Sequence, residues 1–231
     1  MQLSERMKAV AALVSPGSRV VDVGCDHGYL PIYLVMNKRI PSAVAMDVKS
    51  GPLSRAQENI KAHGLDTYIE TRLSDGLKNL KKGEGDALII AGMGGPLMEK
   101  ILEEGKEQLT DFRELILQPQ SDLGNFRRYL VREGFRIIRE NMVYEEGKYY
   151  PMMKAVPGES EAYQPWEYEY GKLLLKEKHP VLKEYLKRET RLQKQILQQI
   201  QAKGSAFSRE REAQIRQNQY LTEEAFKAYE M

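Results

Sequence analysis

Over its first 156 residues the chain alternates short apolar runs with segments whose apolar residues recur every three or four positions. Residues 18–25 (SRVVDVGC) are Val-rich with an Asp near the carboxyl end, which predicts a buried strand, and 28–36 then carries apolar residues at helical spacing. The same two periods recur: 43–48 (AVAMDV) predicts a second strand, and 52–63 (PLSRAQENIKAH) a helix stopped by Gly64. Residues 68–73 alternate and predict a third strand. A fourth, 86–91 (DALIIA), precedes a Gly-Met-Gly-Gly turn and a helix over 96–104. Residues 114–118 (ELILQ) predict a fifth strand, followed by a helix over 123–133. Residues 135–144 and 148–156 are strand-like and joined by a Glu-Glu-Gly turn, the pattern of a hairpin. Repeated strand–helix units imply parallel strands joined by right-handed crossovers. The expectation is an α/β fold: a mostly parallel seven-stranded sheet with an antiparallel edge strand.

The pattern changes after Val156, which puts the expected boundary between a domain over 1–156 and a helical domain over 157–231. Pro157-Gly158 breaks the strand period, and Trp166 begins a polar, helix-forming stretch. Pro180 suits the first position of a helix. Leu182, Leu186, Leu192, Ile196 and Ile200 then supply an apolar stripe. Gly204-Ser205 predicts a turn, and Ser208 an N-cap for a second helix carrying Ile215, Leu221, Ala225, Phe226 and Tyr229. Two helices joined by so short a turn lie antiparallel, as a coiled-coil hairpin.

Composition narrows the class. With 42% hydrophobic and 29% charged residues in 231, the balance is that of a soluble globular protein. The apolar runs fall far below the ~20 residues that cross a bilayer, and the charged start of the chain has no signal-peptide core. A single cysteine, Cys25, forms no intrachain disulfide and fits a reducing, cytoplasmic compartment. One cysteine and three histidines do not make a structural metal site.

The candidate chemistry lies at the first strand-to-helix turn. Asp22-Val23-Gly24-Cys25-Asp26-His27-Gly28 has the spacing D-x-G-x-D-x-G, where open α/β sheets bind nucleotides. Asp47, at the end of the second strand, is placed to accept hydrogen bonds from ribose hydroxyls. The loop lacks the G-x-G-x-x-G of dinucleotide sites, and its acidic residues would repel a pyrophosphate. They suit a cationic or zwitterionic ligand, and S-adenosylmethionine has that charge. Ser74-Asp75-Gly76, after the third strand, is placed to meet the adenine, with Asp75 accepting from its amine. Any one of these residues alone reads as a cap or turn; the set, on successive strand ends, reads as a ligand site. Cys25, inside the turn, is a small buried filler of that site rather than a nucleophile.

The loop and Asp47 resemble class I S-adenosylmethionine-dependent methyltransferases, with Asp26 replacing the middle glycine of their first motif. VDVGCDHGYLP (21–31), AGMGG (91–95), LQPQ (117–120) and Tyr149-Tyr150-Pro151 together resemble the bacterial TrmK family over the whole chain. The resemblance implies a Rossmann-like domain that binds S-adenosylmethionine and methylates N1 of adenine 22 in the D-arm of tRNA. In such a site Asp26 is the candidate carboxylate beside the base as it turns cationic, with His27 beside it either packing on the cofactor, stacking on the base or fixing the loop. Ala91 and Gly92 would border the cofactor; Met93, Gly94 and Gly95 would form an open wall for a flipped base.

For tRNA, 180–216 carries nine basic residues against four acidic ones, and Lys187, Arg191 and Lys194 share a helical face. Arg6 and Tyr149 are further substrate candidates near the turn. Arg127, Arg128 and Arg132 share a helix expected on the outer face, away from the strand ends. The expected partner is tRNA, with no membrane and no metal, and the expected state a monomer. Two alternatives stay open: a small-molecule methyltransferase whose tail is a lid or dimerisation element, and a non-enzymatic partner-binding module.

Overall fold

In the computed structural model the described residues are 3–203 and 208–231, with side chains at 201–203, 208 and 209 left out. The expected Gly204-Ser205 turn, and the side chains of Lys203 and Arg209 in the basic stretch, lie outside the described residues. Seven strands form one sheet: β1 (Val20–Val23), β2 (Ala43–Asp47), β3 (Ile69–Leu73), β4 (Ala87–Met93), β5 (Glu114–Pro119), β6 (Phe135–Glu145) and β7 (Lys148–Pro157). Their order is β3-β2-β1-β4-β5-β7-β6. The first five run parallel; β7 enters antiparallel between β5 and β6, so the hairpin places its second strand inside the edge.

Both faces are covered, as a parallel sheet requires. Val20, Ala43, Ala45, Ala87, Ile89, Ile116 and Met152 share a buried cluster with Val10, Leu13, Leu30, Ile32, Leu34, Ala56 and Ile60 from α1 (Glu5–Leu13), α2 (Tyr29–Met36) and α3 (Ser50–Ala62). The alternating residues Val21, Val23, Val44, Met46, Leu88 and Ile90 are buried as well, on the other face. There α4 (Gly95–Glu104) packs on β4 and α6 (Leu123–Arg132) on β6, with the single turn α5 (Lys106–Leu109) beside α4.

Arg127 departs from the sequence expectation. Its guanidinium is 1% exposed, and its Nε donates to Glu140 Oε1 at 2.9 Å, joining α6 to β6. The helix carries it inward because a carboxylate waits on the neighbouring strand.

The chain divides into two compact units, Met1–Ser160 and Glu161–Met231. The second holds α7 (Pro165–Tyr170), α8 (Lys172–Lys176), α9 (Pro180–Lys203) and α10 (Ser208–Glu230), with α9 packed on α10. Gln164 and Glu167 close a capping box at the start of α7. Between the long helices a buried polar layer interrupts the apolar stripe: Gln193 Nε2 donates to Thr222 Oγ1 at 2.9 Å, and the Tyr170 hydroxyl lies 2.7 Å from the same oxygen. Such a layer specifies the register of a helix pair. Among the described residues no helix is long and apolar enough to cross a membrane.

Candidate active site

The carboxyl ends of β1, β2 and β4, with the first turn of α1, enclose a cavity of about 610 Å³. Its floor is the turn after β1. The amides of Gly24 and Cys25 both donate to Met46 O, at 2.8 and 3.0 Å, which ties the turn to β2. Gly28 enters α2 in the left-handed region at φ 72°, where a Cβ would stand 3.1 Å from the Cβ of Ala56. The Asn59 amide holds the carbonyl of His27 at 3.0 Å.

Three carboxylates face this space. Asp22 is 4% exposed, and its carboxyl is raised to about 7, first by burial and then by the neighbouring charge of Asp47. Asp47 is fixed by two backbone donors: Lys49 N to its Oδ1 at 2.9 Å and Asp26 N to its Oδ2 at 3.3 Å. Asp26 takes a left-handed conformation at φ 49° and exposes its side chain at the cavity. His27 Nε2 lies 3.6 Å from Asp26 Oδ1, and its ring stacks on Tyr29 at 5.4 Å between centroids. Cys25 is buried, and burial with the three neighbouring carboxylates pushes its thiol well up, so it is held as a neutral thiol.

Ala91, Gly92 and Met93 form the opposite wall, where β4 bulges between Ala91 and Met93. The Met93 methyl lies so close over Gly24 that a Cβ there would be 2.2 Å from it. Gly94 and Gly95 lie outside the lining. They start α4 against the loop after β5, where a Cβ on Gly95 would meet Ser121 O at 2.7 Å. Ser74, Asp75 and Gly76 also lie outside it. Ser74 Oγ donates to Gly76 O at 2.9 Å and accepts from Asn79 N at 3.1 Å, building the turn after β3. The Asp75 carboxylate pairs with Lys78 at 2.5 Å, which keeps its carboxyl below the usual range, and both side chains are exposed.

Arg6 lines the cavity from α1. Tyr149 lies outside it, opposite Tyr144 in the hairpin, with ring centroids 4.7 Å apart. Lys187, Arg191 and Lys194 are exposed on one face of α9 in the second unit, and Lys187 pairs with Glu184 at 2.8 Å. The sequence reading missed Leu3, Met7, Tyr29 and Gln120 in the lining, and Gln118 and Tyr150 behind Arg6. Gln118 did leave a signal: it is a polar residue closing the apolar run of β5. Among the described residues no three His, Cys, Asp or Glu side chains gather as metal ligands.

A Rossmann-like sheet with an acidic, phosphate-repelling cavity over β1, β2 and β4 defines an S-adenosylmethionine-dependent methyltransferase. The sequence model of the TrmK family, described as tRNA (adenine(22)-N(1))-methyltransferase, matches residues 20–224, and the chain belongs to that family. It is 40% identical over 162 residues to the tRNA (adenine(22)-N(1))-methyltransferase of Bacillus subtilis, covering 70% of this chain and 68% of that one. The crystal structure of the Bacillus subtilis m1A22 tRNA methyltransferase TrmK superposes with a TM-score of 0.87 at 32% identity, covering 97% and 98% of the two chains. TrmK of M. capricolum, solved with the cofactor product S-adenosyl-homocysteine, superposes with a TM-score of 0.86 at 28% identity, covering 99% and 100%.

Proposed function

We propose that this chain transfers the methyl group of S-adenosylmethionine to N1 of adenine 22 in tRNA. The observation that carries the reading is the trio Asp22, Asp26 and Asp47 around one cavity, with Asp22 raised to about 7. A sulfonium and an ammonium are attracted by these groups, and a pyrophosphate is repelled. S-adenosylmethionine supplies an electrophilic methyl group. Asp47 receives the ribose hydroxyls, and Asp22 favours the cationic end of the ligand.

N1 lies on the Watson–Crick edge of adenine, so the base must leave its stack before the lone pair can approach. That lone pair is the nucleophile, and no general base is needed. Holding it in line with the methyl group can supply ~7–11 kcal/mol. The side-chain-poor bulge at Gly92 is the entry wall for the base, with Met93 as its apolar contact. As the ring becomes cationic, Asp26 stabilises the developing charge more than it stabilises the neutral base. The exposed face of Lys187, Arg191 and Lys194 takes tRNA phosphates, and the protein acts as a cytoplasmic monomer.

The test is methylation of unmodified tRNA transcripts with labelled cofactor, followed by nucleotide mapping. One N1-methyladenine at position 22 is expected; no product, or product at another position, overturns the assignment.

A further inference from the structure

We propose that Gln120 selects adenine as the base to be methylated, by reading the edge that carries the 6-amino group and N7; the assignment rests on the methyl-transfer reading above and adds the contact that sets its base specificity. Attack by N1 gives the Watson–Crick side of the base to the methyl group. Recognition is then left to the neighbouring edge, where a 6-amino hydrogen and the N7 acceptor lie side by side. A side chain that matches both needs one acceptor and one donor in a common plane, and a primary amide has them.

Gln120 is the one side-chain amide in the described lining of the cavity. Asp22, Asp26 and Asp47 only accept when ionised, and Arg6 and Lys49 only donate. The Ser4 hydroxyl is taken up as the cap of α1, accepting from Met7 N at 3.2 Å. Gln120 is exposed at the cavity, whereas Gln118, two residues earlier in β5, is fully buried and accepts from Arg6 Nη1 at 3.0 Å. Among the described residues the Gln120 amide makes no hydrogen bond, so its oxygen and its NH2 are both available to a base.

Its backbone, by contrast, is held on both sides, and the glycine-rich turn and LQPQ meet to hold it. Met93 pairs with Pro119 in the sheet, and Gln120 N donates to Met93 O at 2.8 Å. One residue on, Ser121 O accepts from Gly95 N at 3.1 Å. The glycines permit this approach: a Cβ on Gly94 would stand 2.9 Å from Ser121 Oγ, and one on Gly92 3.7 Å from Gln120 Nε2. A side chain at Gly92 would fill the space over the amide. With glycine there, the amide lies along the bulge that forms the entry wall, next to Met93, so that one residue meets the edge of the base and the other its apolar face.

The same amide rejects the other bases. Guanine presents O6 and N7, two acceptors, and sets its O6 against the amide oxygen; pyrimidines have no N7. The second amino hydrogen of adenine, on the N1 side, stays free for Asp26.

The test uses the full chain and two tRNAs, one with adenosine at position 22 and one with 7-deazaadenosine there, which replaces N7 by carbon and keeps N1 and the amino group. The ratio of kcat/KM for the two tRNAs is compared between wild type and variants, so any change in the intrinsic reactivity of N1 cancels. Gln120→Ala should lower kcat/KM for the adenosine tRNA tenfold or more and shift the ratio about fivefold towards the deaza substrate. Gln120→Glu keeps an acceptor for the amino group but loses the donor to N7, so it should shift the ratio as much, and it reads the ratio if Gln120→Ala turns over too slowly. Calorimetry should find S-adenosylmethionine affinity within twofold of wild type in both, and matched melting curves confirm that both fold. A ratio shifted less than threefold overturns the proposal, as does a loss of cofactor affinity that matches the loss of turnover, which would make Gln120 a cofactor contact. If wild type methylates neither tRNA, the methyl-transfer reading itself falls; an unchanged ratio in an active wild type and variant removes this assignment alone.

Discussion

Lys154 Nζ and Glu114 Oε2 form a buried ion pair 2.5 Å apart, with side chains 9% and 6% exposed, between adjacent strands β7 and β5. The pair reaches beyond the sheet to the end of α1. Glu114 accepts from Ser15 N at 2.8 Å and Ser15 Oγ at 2.6 Å, and Lys154 donates to Leu13 O at 3.1 Å. The helix that carries Arg6 into the cavity is thus pinned at its other end. Removing one partner of a buried pair leaves an uncompensated charge and costs ~3–5 kcal/mol, whereas neutralising both together is far milder. Glu114→Gln alone should therefore lower unfolding stability by about that amount, and Glu114→Gln combined with Lys154→Met should restore most of it. Urea unfolding of the three proteins checks this; a double variant as unstable as the single one would show that the charges themselves are required.

Asp22 makes cofactor binding and stability respond to pH in opposite directions. Its carboxyl, ordinarily near 3.8, titrates near 7 in the folded chain. The folded state therefore holds this proton more tightly than the unfolded state does between those values, and the stability contribution of Asp22 falls as pH rises through that window. Asp22→Asn carries no such proton. Its melting temperature should exceed that of wild type at pH 8, and the gap should close towards pH 4. A cationic ligand favours the ionised form, so wild-type affinity for S-adenosylmethionine should rise roughly five- to tenfold between pH 6 and pH 7.5, and that rise should vanish in Asp22→Asn. A pH-independent stability difference between the two proteins would contradict this.

Asp47 has its two oxygens on the backbones of Lys49 and Asp26, so its substitution acts on the ligand and on the turn together. Loss of a charged acceptor for the ribose should cost ~1.5–3 kcal/mol of binding, and Asp47→Asn should recover part of it by keeping one acceptor oxygen. An Asp47→Ala protein that binds S-adenosylmethionine within twofold of wild type would remove Asp47 from the cofactor site.

Asp26 should separate chemistry from binding. Its carboxylate is exposed at the cavity, with His27 Nε2 3.6 Å from its Oδ1. Asp26→Ala is expected to lower kcat by ten- to a hundredfold, the scale of ~1.4–2.8 kcal/mol of transition-state stabilisation, with cofactor affinity changed less than threefold. Single-turnover methylation set beside calorimetry reads both. Matching losses would make Asp26 a cofactor-binding residue.

The periods of the chain carried the fold further than the site. All seven strands occur where period and apolar runs predict them: the central strands β1, β2, β4 and β5, covered on both faces, are short and mostly apolar, and the outer strands β3 and β6 show alternation, patterns visible in isolation. Arg127 was misplaced because its burial depends on Glu140, on a strand of its own, and helical spacing alone does not reveal such a partner. Asp75 pairs with Lys78 three residues on, a local partner that its strand-end position alone did not reveal. Arg6 was visible only as a charge near the turn. Its setting depends on Gln118, 112 positions away, and on a ring in β7, and no local pattern links them.

The basic face of α9 gives the last prediction. Lys187, Arg191 and Lys194 follow one another at i, i+4 and i+7, and all three are exposed. Lys187 is partly answered by Glu184 at 2.8 Å, an exposed pair that a phosphate can compete with at little cost. The helix itself is held by Leu182 and Leu186, both fully buried, and by the Gln193–Thr222 layer, so its outer face can change without disturbing the packing. Charge reversal at the three basic positions should leave the melting curve and S-adenosylmethionine affinity unchanged and raise KM for tRNA tenfold or more. Each lost phosphate contact removes about 0.7–0.9 from the slope of log affinity against log salt, so the slope should become shallower by ~2. Truncation after Ser160, where the first compact unit ends, should weaken tRNA binding at least as much while cofactor binding persists. A triple variant with unchanged KM and salt slope would move the tRNA surface to the strand-end face of the first unit, where Tyr144 and Tyr149 lie.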